Sequence, residues 1–220
     1  VELVITSVSK SLMSLFYLVE KYKKAKWVEA APGQIRKSGL LGAGVMGGGI
    51  AQLFSSYGIP VRMKDLTYEA LGRGLKQARE LYDYGVKKRK IKPAQALLGM
   101  GIISPVINYT GFSGVDLIVE AVVEDIRIKK SVWREVSSFA RPDCIFASNT
   151  SCLSVAQMTE QEKNKERVIG MHFFNPVHRM PLIEIIRTPY TSDQAVATIV
   201  EFSKKIGETP IVVKDSCGFL

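Results

Sequence analysis

From about Gln34 onward the chain alternates short apolar runs with stretches of helical periodicity, and a glycine-rich turn stands at the first run-to-helix junction. That alternation is the signature of βαβ units, because parallel strands must be joined by a crossover. Leu40-Leu41 ends the first strand, Gly47 to Tyr57 reads as a helix, and Ile59, Val61 and Met63 alternate with Arg62 and Lys64 in a second strand that Asp65 closes. Val115 to Val123 is mostly aliphatic, as expected for a central strand covered on both faces. Further strands are predicted at Cys144 to Ala147, Val168 to His172, Leu182 to Ile186 and Pro210 to Val213. Helices are predicted at Tyr68 to Lys90, Arg127 to Phe139 and Ser192 to Ile206, and the passage around Ile102 to Pro105 reads as loop. The fold class is therefore α/β, a Rossmann-like doubly wound and mostly parallel sheet. Ser38-Gly39 is the weak point, two small, poor strand formers where an apolar pair is usual.

The turn itself, Gly42-Ala43-Gly44-Val45-Met46-Gly47, fits G-x-G-x-x-G. Its first glycine permits the tight bend, its second lets backbone approach a pyrophosphate, and its third allows close helix packing; the helix N-terminus then offers N–H groups to phosphate. Asp65 follows at about the twenty positions expected of the acid that holds an adenine ribose. An aspartate there accepts from both ribose hydroxyls and repels a 2′-phosphate, so NAD is expected over NADP, with Lys64 beside it as the opposing signal. The plainer alternative is a glycine turn that binds nothing.

Residues 1–36 are expected to form a linker helix, Ser7 to Lys26, and a connecting segment broken at Ala30-Ala31-Pro32-Gly33, with residues 37–220 as the dinucleotide-binding domain. Leu12, Phe16 and Val19 lie at helical spacing, and the apolar run containing them is too short to span a bilayer. No transmembrane segment or cleavable leader is expected, and the setting is read as cytoplasmic. At +9 the chain is basic, yet its lysines gather at Lys21 to Lys26 and at Lys87 to Lys92, which read as solvated helix ends. No nucleic-acid motif accompanies them; the other partner of such charge would be an anionic ligand such as coenzyme A. Cys144, Cys152 and Cys217 show no C-x-x-C spacing, which points to a reducing compartment and away from a zinc site, so no metal is expected.

Proton-transfer chemistry is easiest to place at His172. The chain has only two histidines, and imidazole is the side chain that takes and returns protons near neutral pH. His172 leaves an apolar strand, where ligands of open α/β sheets collect. Glu184 is a lone acid within Leu182-Ile183-Glu184-Ile185-Ile186 and needs a partner if buried, which makes His172 its candidate. A satisfied core histidine beside a strand-end carboxylate is the competing account. Glu120-Ala121-Val122-Val123-Glu124-Asp125 ends the central strand at the edge where the nicotinamide would lie, although either acid could cap the next helix. Lys129 in that helix resembles a solvated surface lysine. Ser148-Asn149-Thr150-Ser151-Cys152 offers hydroxyls and amides for a substrate oxygen, or simply helix caps. Cys152 has no neighbouring histidine to activate it, and His178 is assigned no role.

Taken together, Gly42 to Ile50, Glu120 to Asp125, Ser148 to Ser151, and His172-Phe173-Phe174-Asn175-Pro176 with Glu184 resemble the L-3-hydroxyacyl-CoA dehydrogenase family. Met171 to Arg187 looks especially like the dehydrogenase portion of the bacterial multifunctional fatty-acid oxidation complexes, and residues 1–33 are similar to the helix that joins it to an enoyl-CoA hydratase domain. The resemblance implies NAD-dependent oxidation of L-3-hydroxyacyl-CoA in β-oxidation, with a thiolase β-subunit as a partner of the parent enzyme. It makes His172 the base and Glu184 its partner, with Ser151 and Asn175 at the substrate or nicotinamide. Gly42, Gly44, Val45, Met46, Gly47, Asp65, Ala121, Val122, Val123, Glu124, Lys129 and Asn149 would contact NAD, together with Ser151 and Asn175. Family chains continue into a helical domain that closes over the acyl-CoA, which is expected to lie outside this sequence, and Cys217 replaces a usual proline. The rival readings are an NADP-linked 3-hydroxyacid dehydrogenase and a non-catalytic dinucleotide-binding or assembly module.

Overall fold

The computed structural model of the chain describes residues 6–160 and 163–219. Among these, eight strands form one sheet: β1 (Ser38–Leu41), β2 (Val61–Lys64), β3 (Ile103–Val106), β4 (Leu117–Glu120), β5 (Ile145–Ser148), β6 (Val168–Phe173), β7 (Leu182–Arg187) and β8 (Thr209–Lys214). Their order is β3-β2-β1-β4-β5-β6-β7-β8, so the winding reverses between β1 and β4. Every neighbouring pair is parallel except β6 and β7, which run antiparallel with His172 opposite Glu184. The helices are α1 (Ser7–Lys24), α2 (Gly47–Ser56), α3 (Tyr68–Lys87), α4 (Pro93–Gly101), α5 (Ile126–Ser137), α6 (Val155–Met158) and α7 (Asp193–Lys205).

Strands β1, β4 and β5 are buried at every position, as the central strands of a sheet covered on both faces must be. One core layer contains Ile50, Phe54, Val196 and Ile199 from α2 and α7; the other contains Phe112, Trp133, Val136 and Phe146. Ser38 and Gly39 do belong to β1. A β-carbon at Gly39 would stand 2.6 Å from the Phe112 ring, so the ring occupies the space a side chain would need, and the Ser38 hydroxyl donates to Pro60 O at 3.1 Å.

Three elements depart from the sequence reading. The passage around Ile102 to Pro105 is strand β3, at the sheet edge, where a proline without an N–H is tolerated. The long basic helix ends at Lys87, Arg89 takes a left-handed φ of 56°, and α4 follows. A short helix, α6, also precedes β6. The N-terminal helix forms as predicted, capped by Thr6, but it buries none of its residues, and Leu12 and Phe16 are exposed.

Candidate dinucleotide and proton-transfer site

The loop between β1 and α2 shows why its glycines are glycines. Gly42 has φ 101°, and a β-carbon there would lie 2.5 Å from Ala121 O, while one at Gly47 would collide with Gly42 O. Gly44 faces open space, with nothing within 4 Å of a notional β-carbon. Helix α2 has no side-chain cap at Met46, so its first amides remain available to an anion. Val45 is exposed, and Met46 packs partly against the core. Asp65, just past β2, accepts from Ala43 N at 2.7 Å and from Leu66 N at 2.6 Å, which ties the acid to the glycine loop. Beside them lies a cavity of about 270 Å³, whose lining includes Gly42, Gly44, Asp65, Leu66, Val122 and Ile128. These residues fit a dinucleotide: open backbone for phosphate, an acceptor carboxylate for ribose and apolar walls for a base.

Across the switch point, β4 ends on a buried charge network. Lys129 is not a surface lysine. Its side chain is 1% exposed, and Nζ reaches Glu120 Oε1 at 2.7 Å, Glu124 Oε2 at 3.1 Å and Val122 O at 3.4 Å. Those three contacts match the three protons of an ammonium group. Glu120 also accepts from Val122 N at 2.8 Å and Ser148 Oγ at 2.7 Å, so a fully buried carboxylate has every partner it needs. Glu124 accepts from Thr150 Oγ1 and, at 3.1 Å, from Ser151 N. Burial pushes its carboxyl up, but the Thr150, Lys129 and Ser151 bonds outweigh this and hold it below the usual carboxylate range. Asp125, not Glu120 or Glu124, caps α5 by accepting from Arg127 N and Ile128 N. Ala121 and exposed Val123 complete the turn beside the glycine loop.

One strand farther out, antiparallel pairing of β6 and β7 brings His172 Nδ1 to 2.7 Å from Glu184 Oε2. Glu184 is 4% exposed and His172 15%. A carboxylate can only accept, so Nδ1 carries the proton and Nε2 the lone pair; Nε2 has no protein partner among the described residues. Phe174 and Phe219 flank the imidazole at 4.7 and 6.1 Å between ring centres. Asn149 Oδ1 accepts from Phe173 N at 2.9 Å, which pins the end of β5 to the end of β6. Exposed Ser151 and Asn175 lie in the loops just beyond these two strands. Cys152 is a free thiol, and His178 packs against Tyr84, its pKa lowered by burial and by Arg179 and Lys90.

The structure thus gathers the glycine loop, Asp65, the β4 turn, Ser151, Asn175, His172 and Glu184 along the carboxyl ends of the parallel strands, the ligand edge of such sheets. Sequence reasoning marked Glu120, Ser148 and Thr150 only as possible caps or contacts to a substrate oxygen, and missed that they hold Lys129 and Glu124 in place. Glu120 carried a signal, being the single acid at the end of an aliphatic strand.

A doubly wound sheet with this loop and acid defines a dinucleotide-binding dehydrogenase domain. The chain belongs to the 3-hydroxyacyl-CoA dehydrogenase family, whose "3-hydroxyacyl-CoA dehydrogenase, NAD binding domain" profile matches residues 37–216, and NAD is its cofactor. It is 44% identical over 216 residues to the fatty acid oxidation complex subunit alpha of Pseudomonas putida, a match covering 98% of this chain and 30% of that protein. It superposes on the (S)-3-hydroxybutyryl-CoA dehydrogenase of Ralstonia eutropha with TM-score 0.83 at 35% identity, covering 85% of this chain and 66% of that one. The dehydrogenase part of multifunctional enzyme 1 from C. elegans gives TM-score 0.80 at 25% identity, covering 91% of this chain and 48% of that one. The chain spans about 30% of the length of the curated relatives it matches. Among the described residues no helix is long and apolar enough to cross a membrane.

Proposed function

We propose that this chain supplies the NAD-binding and proton-transfer parts of an enzyme that oxidises L-3-hydroxyacyl-CoA to 3-ketoacyl-CoA. The observation that carries the reading is the Glu184–His172 pair, 2.7 Å apart, at the same sheet edge as the glycine loop and Asp65. Bound NAD supplies the acceptor for the hydride that leaves C3. His172 Nε2 takes the proton of the C3 hydroxyl, and Glu184 stabilises the imidazolium so formed. Ser151 and Asn175 orient the substrate oxygen, so their contribution is positioning. Gly42, Gly44 and the α2 amides hold the pyrophosphate, with Val45, Met46 and Gly47 shaping that turn, and Asp65 holds the ribose. Ala121, Val122, Val123 and Glu124 border the nicotinamide half, and Asn149 fixes the strand ends behind it. Lys129 acts on the cofactor through Glu124 and Val122, since its protons are already engaged.

The parent protein is a multifunctional α-subunit of fatty-acid β-oxidation, with a hydratase domain before residues 1–36 and a thiolase β-subunit as partner, working in the bacterial cytoplasm. Support comes from the 44% identity to a fatty acid oxidation complex subunit alpha across the linker helix as well as the domain. The test is reductant oxidation with acetoacetyl-CoA or free acetoacetate, each with NADH or NADPH. The reading expects activity only with acetoacetyl-CoA and NADH. Preference for NADPH and the free acid would favour a 3-hydroxyacid dehydrogenase, and NAD binding without any turnover would favour an assembly module.

A further inference from the structure

The rim of the 270 Å³ cavity carries an exposed carboxylate, Glu135, to which the proposed reaction gives no role. Ile128, Val132 and Glu135 lie on one face of α5 at helical spacing and line the cavity in that order away from the helix start. The wall is therefore aliphatic near the β4 turn and acidic farther out. Tyr109 meets Glu135 from the other side, its hydroxyl donating to Oε2 at 2.9 Å. The Tyr109 ring is held in turn, stacked on Phe139 with centres 4.8 Å apart and edge-on to Phe112 at 5.5 Å. It is 8% exposed, so the group that orients Glu135 is itself fixed. Lys64 Nζ sits 4.6 Å from the centre of the same ring, and among the described residues no cation pairs with Glu135. Glu135 Oε1 has no protein partner among the described residues.

We infer that Glu135 reads the purine of the dinucleotide by accepting a hydrogen bond from the 6-amino group of adenine. This rests on the dinucleotide reading of the cavity. With phosphate at Gly42 and Gly44 and ribose at Asp65, the lining left for the base is Leu66, Val122 and Val132, with Glu135 one helical turn past Val132. The 6-substituent lies on the purine edge directed away from the sugar. A carboxylate accepts and cannot donate, so it pairs with an amino group at the 6 position and is repelled by a carbonyl there; the one donor a 6-oxopurine offers nearby, N1–H, stands at the adjacent ring position and not at the 6-substituent. Discrimination comes as much from the acceptor placed against acceptor in the wrong base as from the bond made in the right one.

The experiment is calorimetric titration of the 220-residue chain with NAD and with nicotinamide hypoxanthine dinucleotide, repeated for Glu135→Gln and Glu135→Ala. The parent is expected to bind NAD about tenfold more tightly, the scale of one charge-assisted hydrogen bond gained against one repulsion avoided. Glu135→Gln can both accept and donate and still accepts from Tyr109, so its preference should fall to within about twofold, and Glu135→Ala should behave likewise. Equal binding by the parent, or an unchanged preference in both variants, overturns the role of Glu135 alone. Absence of NAD binding overturns this inference together with the dinucleotide reading.

Discussion

At the residue scale, chemistry rests on where protons are allowed to sit. Glu184 engages Nδ1 of His172 and thereby leaves Nε2 as the basic nitrogen, a choice of tautomer made by one buried carboxylate. Glu184→Gln keeps the shape but removes the charge that stabilises imidazolium. It should lower kcat about a hundredfold while NAD affinity changes by less than about twofold, as stopped-flow turnover and a binding titration would show. A comparable loss in both quantities would assign Glu184 to packing instead. In the proposed role Asp65 would act by charge and by acceptance, so Asp65→Ala should weaken NAD roughly tenfold and leave NADP little changed. Equal losses would remove Asp65 from the ribose. The Glu184–His172 pairing and the place of Asp65 beside the glycine loop were legible in the sequence, because an acid inside an aliphatic run or at a fixed distance after a glycine loop is conspicuous. Lys129 was not: a lysine in the first turn of a helix looks solvated until the two glutamates that neutralise it are brought together by the fold.

Among the elements, those with continuous apolar runs were readable and those at edges were not. Strand β3 contains Pro105 and was hidden because an edge strand does not need every N–H. Helices α4 and α6 are short and carry little periodicity. The turn between α7 and β8 carries a separate liability. Glu208 is 4% exposed, its Oε2 has no hydrogen-bond partner among the described residues, and burial pushes its pKa up from 4.5 to about 7. The folded state holds this proton more tightly than the unfolded state, so its contribution is favourable below pH 4.5 and is lost as pH rises through about 7. Glu208→Gln stays neutral throughout. It should exceed the parent in stability by about 1–2 kcal/mol near pH 8, with the gap closing toward pH 4.5, in urea unfolding at both pH values. A gap independent of pH would mean that Glu208 is not titrating in the folded state.

On the scale of the whole molecule, winding reverses between β1 and β4, so the glycine loop, the β4 turn and the His172–Glu184 pair share one edge although they span residues 42 to 184. The alternating pattern of the sequence made this sheet legible. It did not reveal that α1 would bury none of its own residues, because an amphipathic helix reads the same whether its apolar face is covered or not. Since the chain spans about 30% of its curated relatives, grip on the acyl-CoA is expected to depend on what lies beyond these residues, and turnover by the 220-residue chain should be slow compared with a longer one. The central claim is that His172 is the proton acceptor beside bound NAD. Acetoacetyl-CoA-dependent oxidation of NADH, measured with and without His172→Gln in a chain as long as the curated relatives, tests it directly. The account predicts at least a hundredfold loss of turnover with NADH affinity retained. Turnover within a few-fold of the parent would contradict it.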